Sequence, residues 1–122
     1  MSPDQCRAAL EGGQWPATDT IDVPEDVFDL LDEFVDSTTS ELDELEEVVL
    51  VYEQEQTEDQ AATIRRVLHK MKGEAGIVRF SLLETFFHEA ENAFEQLPIE
   101  ARSEMLLRLK DWVADVIAAL ER

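Results

Sequence analysis

The residues best placed to do chemistry in this 122-residue chain lie between positions 64 and 80. At about 100° per residue, positions 69, 72, 73, 76 and 80 share one strip of a helix. They read His69, Lys72, Gly73, Gly76 and Phe80. A neutral imidazole presents a nucleophilic ring nitrogen, well suited to attack a phosphoryl group, and a lysine one turn away supplies positive charge for the phosphoryl oxygens. Reliable presentation of one nitrogen requires the other to donate its proton to a fixed acceptor. Glu91, with His88 one turn before it, stands on a flank that reaches the middle of the His69 helix in an antiparallel hairpin. Gly73 and Gly76 each cost a helix about 0.8 to 1.0 kcal/mol relative to alanine, so something must approach the backbone closely there.

Charge singles out the same segment. Residues 1–63 hold 19 acids and one base, whereas residues 64–80 hold Arg65, Arg66, Lys70, Lys72 and Arg79 against Glu74 alone. This basic island on an acidic body marks Arg65, Arg66, Gly73, Gly76, Arg79 and Phe80 as a partner-facing surface. For Arg65 and Lys70 the alternative is pairing with acids of neighbouring helices.

The elements that position these groups follow from apolar spacing. Proline occurs only at 3, 16, 24 and 98 and glycine only at 12, 13, 73 and 76, which leaves hairpin turns almost nowhere to form. Val27, Leu31, Phe34, Thr38, Leu42, Leu45, Val49 and Tyr52 make one three-and-four stripe. It predicts a helix from near Pro24, with Asp22 as a possible cap, unbroken across residues 36–40. Thr57 and Gln60 form a capping box that starts a second helix, with Ala61, Ile64, Val67, Leu68, Met71, Ala75 and Val78 inward. Ser81 and Glu84 repeat the pattern before a third, with Leu83, Phe86, Phe87, Ala90, Phe94 and Leu97 inward until Pro98. A fourth runs from about Glu100 to Leu120. Short connections between four amphipathic helices predict an all-α fold, an antiparallel up-down four-helix bundle. Residues 21–122 are expected to form that domain. Residues 1–20 are read as a short N-terminal extension, an arm with one or two helical turns, whose Trp15 either tucks against the bundle or hangs loose.

Composition narrows the rest. The formal charge is −19, yet Leu, Ile, Val and Phe make up 35 of the 122 residues, well above the roughly 20% below which chains stay disordered. Such acidity disfavours nucleic acid and anionic membrane as partners, because both need a positive footprint. The single cysteine, Cys6, excludes an internal disulfide framework and a cysteine-based zinc site. No apolar run approaches the roughly 18 residues needed to cross a bilayer, and the first residues lack the pattern of a signal peptide. A soluble, cytoplasmic monomer is the expectation.

The run His69-Lys70-Met71-Lys72-Gly73-Glu74-Ala75-Gly76 resembles the H-x-hydrophobic-K-G-x-A motif of histidine-containing phosphotransfer (HPt) domains, and is most similar to the P1 domain of CheA-like chemotaxis kinases. The likeness extends from about Val27 to Leu97. It implies a phosphorelay component that takes a phosphoryl group on Nε2 of His69 and passes it to an aspartate of a receiver domain. Glu91 would take the Nδ1 proton, His88 would support that network, Lys72 would contact the phosphoryl oxygens and Gly73 would open the docking surface. The resemblance implies partners in the form of a histidine kinase catalytic domain or a response-regulator receiver. They supply catalysis and Mg²⁺, so no cofactor or metal is expected on this chain. Arg79 departs from the CheA-like pattern, which commonly has glycine there, and a large cation at that edge would narrow the choice of partner.

No kinase ATP-binding motif is present, so the chain is read as a carrier or substrate domain, either a free-standing shuttle or a piece of a larger kinase. Three rivals are weaker. A kinase dimerisation hairpin typically follows its histidine with an acid and then a proline, whereas Lys70 follows His69 and no proline appears before Pro98. A carboxylate-bridged metal bundle needs Glu-x-x-His pairs, which are absent. A helical-bundle adaptor without phosphotransfer explains the helices but neither the two glycines nor Lys72.

Overall fold

The computed structural model describes residues 1–18, 21 and 28–121. Among them the chain forms five helices and no strand: α1 (Pro3–Leu10), α2 (Phe28–Glu55), α3 (Glu58–Ile77), α4 (Ser81–Gln96) and α5 (Ile99–Leu120). The long helix α2 runs unbroken through residues 36–40. Its stripe is buried at Phe34, Thr38, Leu42, Leu45, Val49 and Tyr52. The expected start at Pro24, the Asp22 cap and Val27 lie outside the described residues.

Two residues separate α2 from α3, three separate α3 from α4 and two separate α4 from α5. Links this short fold each helix back on its predecessor. α3 packs between α2 and α4, and α5 closes the bundle against α2. The core between them is apolar: Ile64, Leu68 and Met71 of α3 meet Phe86, Phe87 and Phe94 of α4 and Leu106, Leu109 and Val113 of α5.

The capping boxes divide. Thr57 accepts from the Gln60 amide at 3.2 Å while the Gln60 side chain accepts from the Thr57 amide at 3.1 Å, starting α3 as expected. At α4 the expected box is absent: Phe80 is the N-cap, with no side-chain cap, and Ser81 is already inside the helix. The cause is the end of α3. Arg79 takes a left-handed conformation at φ 57, the Phe80 amide donates to the Ala75 carbonyl at 2.8 Å and the Arg79 amide donates to Gly76 at 3.1 Å. This is a Schellman ending, which turns the residue after the left-handed one back onto the helix.

Residues 1–18 pack against the bundle rather than hanging loose from it. Ser2 and Gln5 form a capping box of their own, and Cys6, Ala9 and Leu10 are buried. α1 packs on α4 and α5, and Arg108 donates to the Leu10 carbonyl at 2.9 Å. Trp15 stacks on Phe86 with ring centroids 5.1 Å apart, and Trp112 donates to the Pro16 carbonyl at 3.0 Å. α1 also ends in a Schellman turn, here with Gly12 as the left-handed residue. A Cβ on the following Gly13 would stand 2.7 Å from the Ala8 carbonyl oxygen, so glycine is required.

Candidate functional site

His69 lies on the outer face of α3 and its side chain is 73% exposed. The residues beneath it on the helix, Val67, Leu68 and Met71, are fully committed to the core, which fixes the helix rotation and turns the imidazole outward. Nδ1 of His69 stands 3.8 Å from Glu91 Oε2 on α4, and Lys72 Nζ stands 3.0 Å from Glu91 Oε1. One half-buried carboxylate therefore faces both the histidine and the lysine. At 3.8 Å the imidazole is not hydrogen-bonded, and it becomes so only when the ring turns toward Oε2. The other ring nitrogen, Nε2, has no partner in any described hydrogen bond or ion pair.

Gly73 lies one turn further along. A Cβ built on it would meet nothing within 4 Å. The fold has no steric need for glycine there, so the bare backbone faces outward. Gly76 differs: its Cβ would stand 2.7 Å from Glu84 Oε2, so the Glu84 carboxylate of α4 covers this glycine.

The expected surface needs three corrections. Phe80 is 2% exposed, with its ring 6.1 Å from that of Phe34, because the Schellman turn swings it inward; it belongs to the core and not to a docking face. His88 is exposed on α4, but no hydrogen bond or ion pair joins it to His69 or Glu91 among the described residues. The basic island is largely neutralised from within. Arg65 is hydrogen-bonded to Glu95 and, at 2.6 Å, to Glu58, and those bonds, Glu95 first, raise its pKa further. Its guanidinium also lies over the Phe94 ring at 5.6 Å. Arg66 meets Glu44 at 2.7 Å and Lys70 meets Glu41 at 3.4 Å. Pairing with neighbouring helices, the alternative raised for Arg65 and Lys70, is what the structure shows. Arg79 remains exposed at the end of α3.

Two features escaped the sequence reading. Ile77 is 71% exposed on α3, one turn beyond Gly73, and with Leu30, Phe34 and Val78 forms the apolar part of a groove of about 290 Å³ that Glu33, Ser37 and Glu74 also line. The i, i+4, i+8 spacing of His69, Gly73 and Ile77 is a signal that would have found it. The other is the buried Glu41 carboxyl at the α2–α3 seam, next to the half-buried Glu74. Among the described residues no three His, Cys, Asp or Glu side chains group to hold a metal ion, and no helix is long and apolar enough to cross a membrane.

The site thus brings one exposed histidine together with a carboxylate, a lysine and an open glycine on a helical bundle. Residues 29–119 match the Hpt domain family, and the chain belongs to it. Neither a curated protein nor a solved structure matches the chain. Hpt domains serve histidine phosphotransfer in phosphorelays, partnering with kinases and receivers, and are carriers whose partners supply the catalysis.

Proposed function

We propose that this chain accepts a phosphoryl group on Nε2 of His69 and delivers it to an aspartate of a receiver domain. The observation that carries the reading is the outward-facing His69, with Glu91 and Lys72 beside it and the open backbone of Gly73 one turn along the helix. In the loading step the Nε2 lone pair forms the P–N bond as the P–O bond to the donor breaks, and the departing oxygen keeps that electron pair. The positive charge gained by the ring is offset as its Nδ1–H turns to Glu91, the acceptor of that proton. Lys72, released from Glu91, then faces the phosphoryl oxygens. Delivery reverses these movements on a partner that brings its own Mg²⁺.

Gly73 and Ile77 support a docking surface on α3 in which the visitor reaches the backbone at Gly73 and buries Ile77. Arg79, at the edge of that surface, and the exposed Arg66 contribute to the choice of partner. The likeness of the His69-to-Gly76 run to CheA-like P1 domains favours a chemotaxis-type kinase core as donor, in a cytoplasmic, monomeric carrier in which residues 1–20 are an arm on a domain of residues 21–122.

Incubation with a CheA-like kinase core and ATP, or with a receiver and acetyl phosphate, tests the reading. An acid-labile, base-stable phosphate that is lost in His69→Gln supports it. A chain that binds these partners and never takes phosphate is an adaptor instead.

A further inference from the structure

At the seam between α2 and α3, a fully buried acidic side chain meets a half-buried one. Glu41 of α2 is 3% exposed, and neither of its carboxyl oxygens has a hydrogen-bond partner; Glu74 Oε2 of α3 is likewise buried without one. Lys70 Nζ, 3.4 Å from Glu41 Oε2, is the one cation facing the pair among the described ion pairs. Other charges stand near the pair. On α2, Glu44 is held by Arg66, Asp36 lines the same cleft as Glu41 and Lys70, and Glu33 lines the groove beside Glu74; on α5, Lys110 is held by Glu46 at 3.3 Å; on α4, Glu84 lies over Gly76.

Two ionised carboxylates are acceptors only and cannot satisfy each other. Placing Glu41 and the buried oxygen of Glu74 out of water beside one lysine is costly while both groups are ionised. A single proton held between them lowers that cost and supplies the missing donor. Burial first, and the neighbouring Glu74 carboxyl second, push Glu41 up to about 8 against the opposing pull of Lys70.

We propose that Glu41 and Glu74 hold one proton between them and act as a proton-operated latch between α2 and α3, the helix that bears His69: with the proton in place α3 lies closed on α2, and as the pH rises the seam opens more readily. When the seam opens, water solvates Glu41, which returns to an ordinary glutamate value of about 4.3 and releases its proton. Closing therefore takes up a proton. The extra hold is complete below about pH 4 to 5, is lost as the pH climbs toward 8, and changes no further above that. The latch itself is independent of phosphate; only its bearing on partner docking, through the firmness of the His69 face, rests on the function proposed above.

The test is amide hydrogen exchange of the full chain between pH 5 and 9, expressed as protection factors, together with the ¹³C shift of the Glu41 carboxyl. Protection at residues 70–74 falls relative to Leu109 and Val113 of α5, by at most about tenfold per pH unit between about pH 5 and 8, then levels off. In Glu41→Gln, which places an amide donor where the proton stood, that fall disappears. The Glu41 carboxyl titrates well above the ordinary glutamate range. A carboxyl that titrates near pH 4 to 5, a fall equal in α5, or a fall that persists in Glu41→Gln overturns the proposal. Should Glu41→Gln fail to fold, Glu74→Gln is the second variant, and the carboxyl titration needs none. Because neither readout involves phosphorylation, failure of His69 to take phosphate sinks the carrier function and leaves the latch standing.

Discussion

Replacing Gly73 by alanine separates what the fold needs from what a visiting protein needs. Inside a helix the exchange gains about 0.8 to 1.0 kcal/mol, because glycine loses more backbone freedom on folding. Nothing in the structure opposes the gain, since the added Cβ meets no atom within 4 Å. For a chain of 122 residues this corresponds to a rise in Tm of roughly 3 to 5 °C. The same methyl group on a docking surface packed to interior density costs about 1 to 3 kcal/mol of overpacking, roughly 5- to 150-fold in transfer rate. Thermal unfolding followed by circular dichroism reads the first effect, and single-turnover transfer from a phosphorylated receiver reads the second. Gly73→Ala is expected to be more stable and slower. An unchanged transfer rate would show that no partner approaches the backbone at this turn, and a lower Tm would show that the space over Gly73 is filled. Either result refutes the reasoning.

Glu91→Ala is expected to slow phosphorylation of His69 several-fold while the far-ultraviolet dichroism stays unchanged, because the half-buried carboxylate faces the imidazole and Lys72 rather than the core; an unchanged rate removes Glu91 from the mechanism. Arg79→Gly relieves a left-handed backbone that costs an L-residue about 1 kcal/mol, so denaturant unfolding should show a gain of up to that amount, and slower transfer to the receiver alongside it would mark the cation as a partner contact.

What the sequence reveals here depends on how local each determinant is. The phase of α2 across residues 36–40 was legible because the apolar stripe keeps its spacing there, and burial of Thr38 and Leu42 agrees with it. The Thr57 capping box was legible for the same reason, since its partners lie three residues apart. Ser81 and Phe80 depart from the pattern together. Extending the strip from His69 to Phe80 assumes that α3 continues, but it ends at Ile77, and the left-handed Arg79 sends Phe80 into the core and pushes Ser81 inside α4. A left-handed arginine is hard to foresee, because glycine is the usual residue in that place. Glu41 was invisible because its burial comes from the approach of α3, a contact between distant segments, and a glutamate beside an apolar stripe ordinarily faces water. At the site, the spacing placed His69, Lys72 and Gly73 together, while the reach of Glu91 to both side chains required the α3–α4 packing.

The position of the N-terminal segment has a practical consequence. Trp15 and Trp112 are the two tryptophans of the chain, and their rings lie 5.3 Å apart where the segment rests on α4 and α5. Intrinsic fluorescence of the unlabelled protein is thus a reporter of whether this segment stays seated, and a polypeptide trimmed to the matched region would lose one emitter and strip the cover from Phe86.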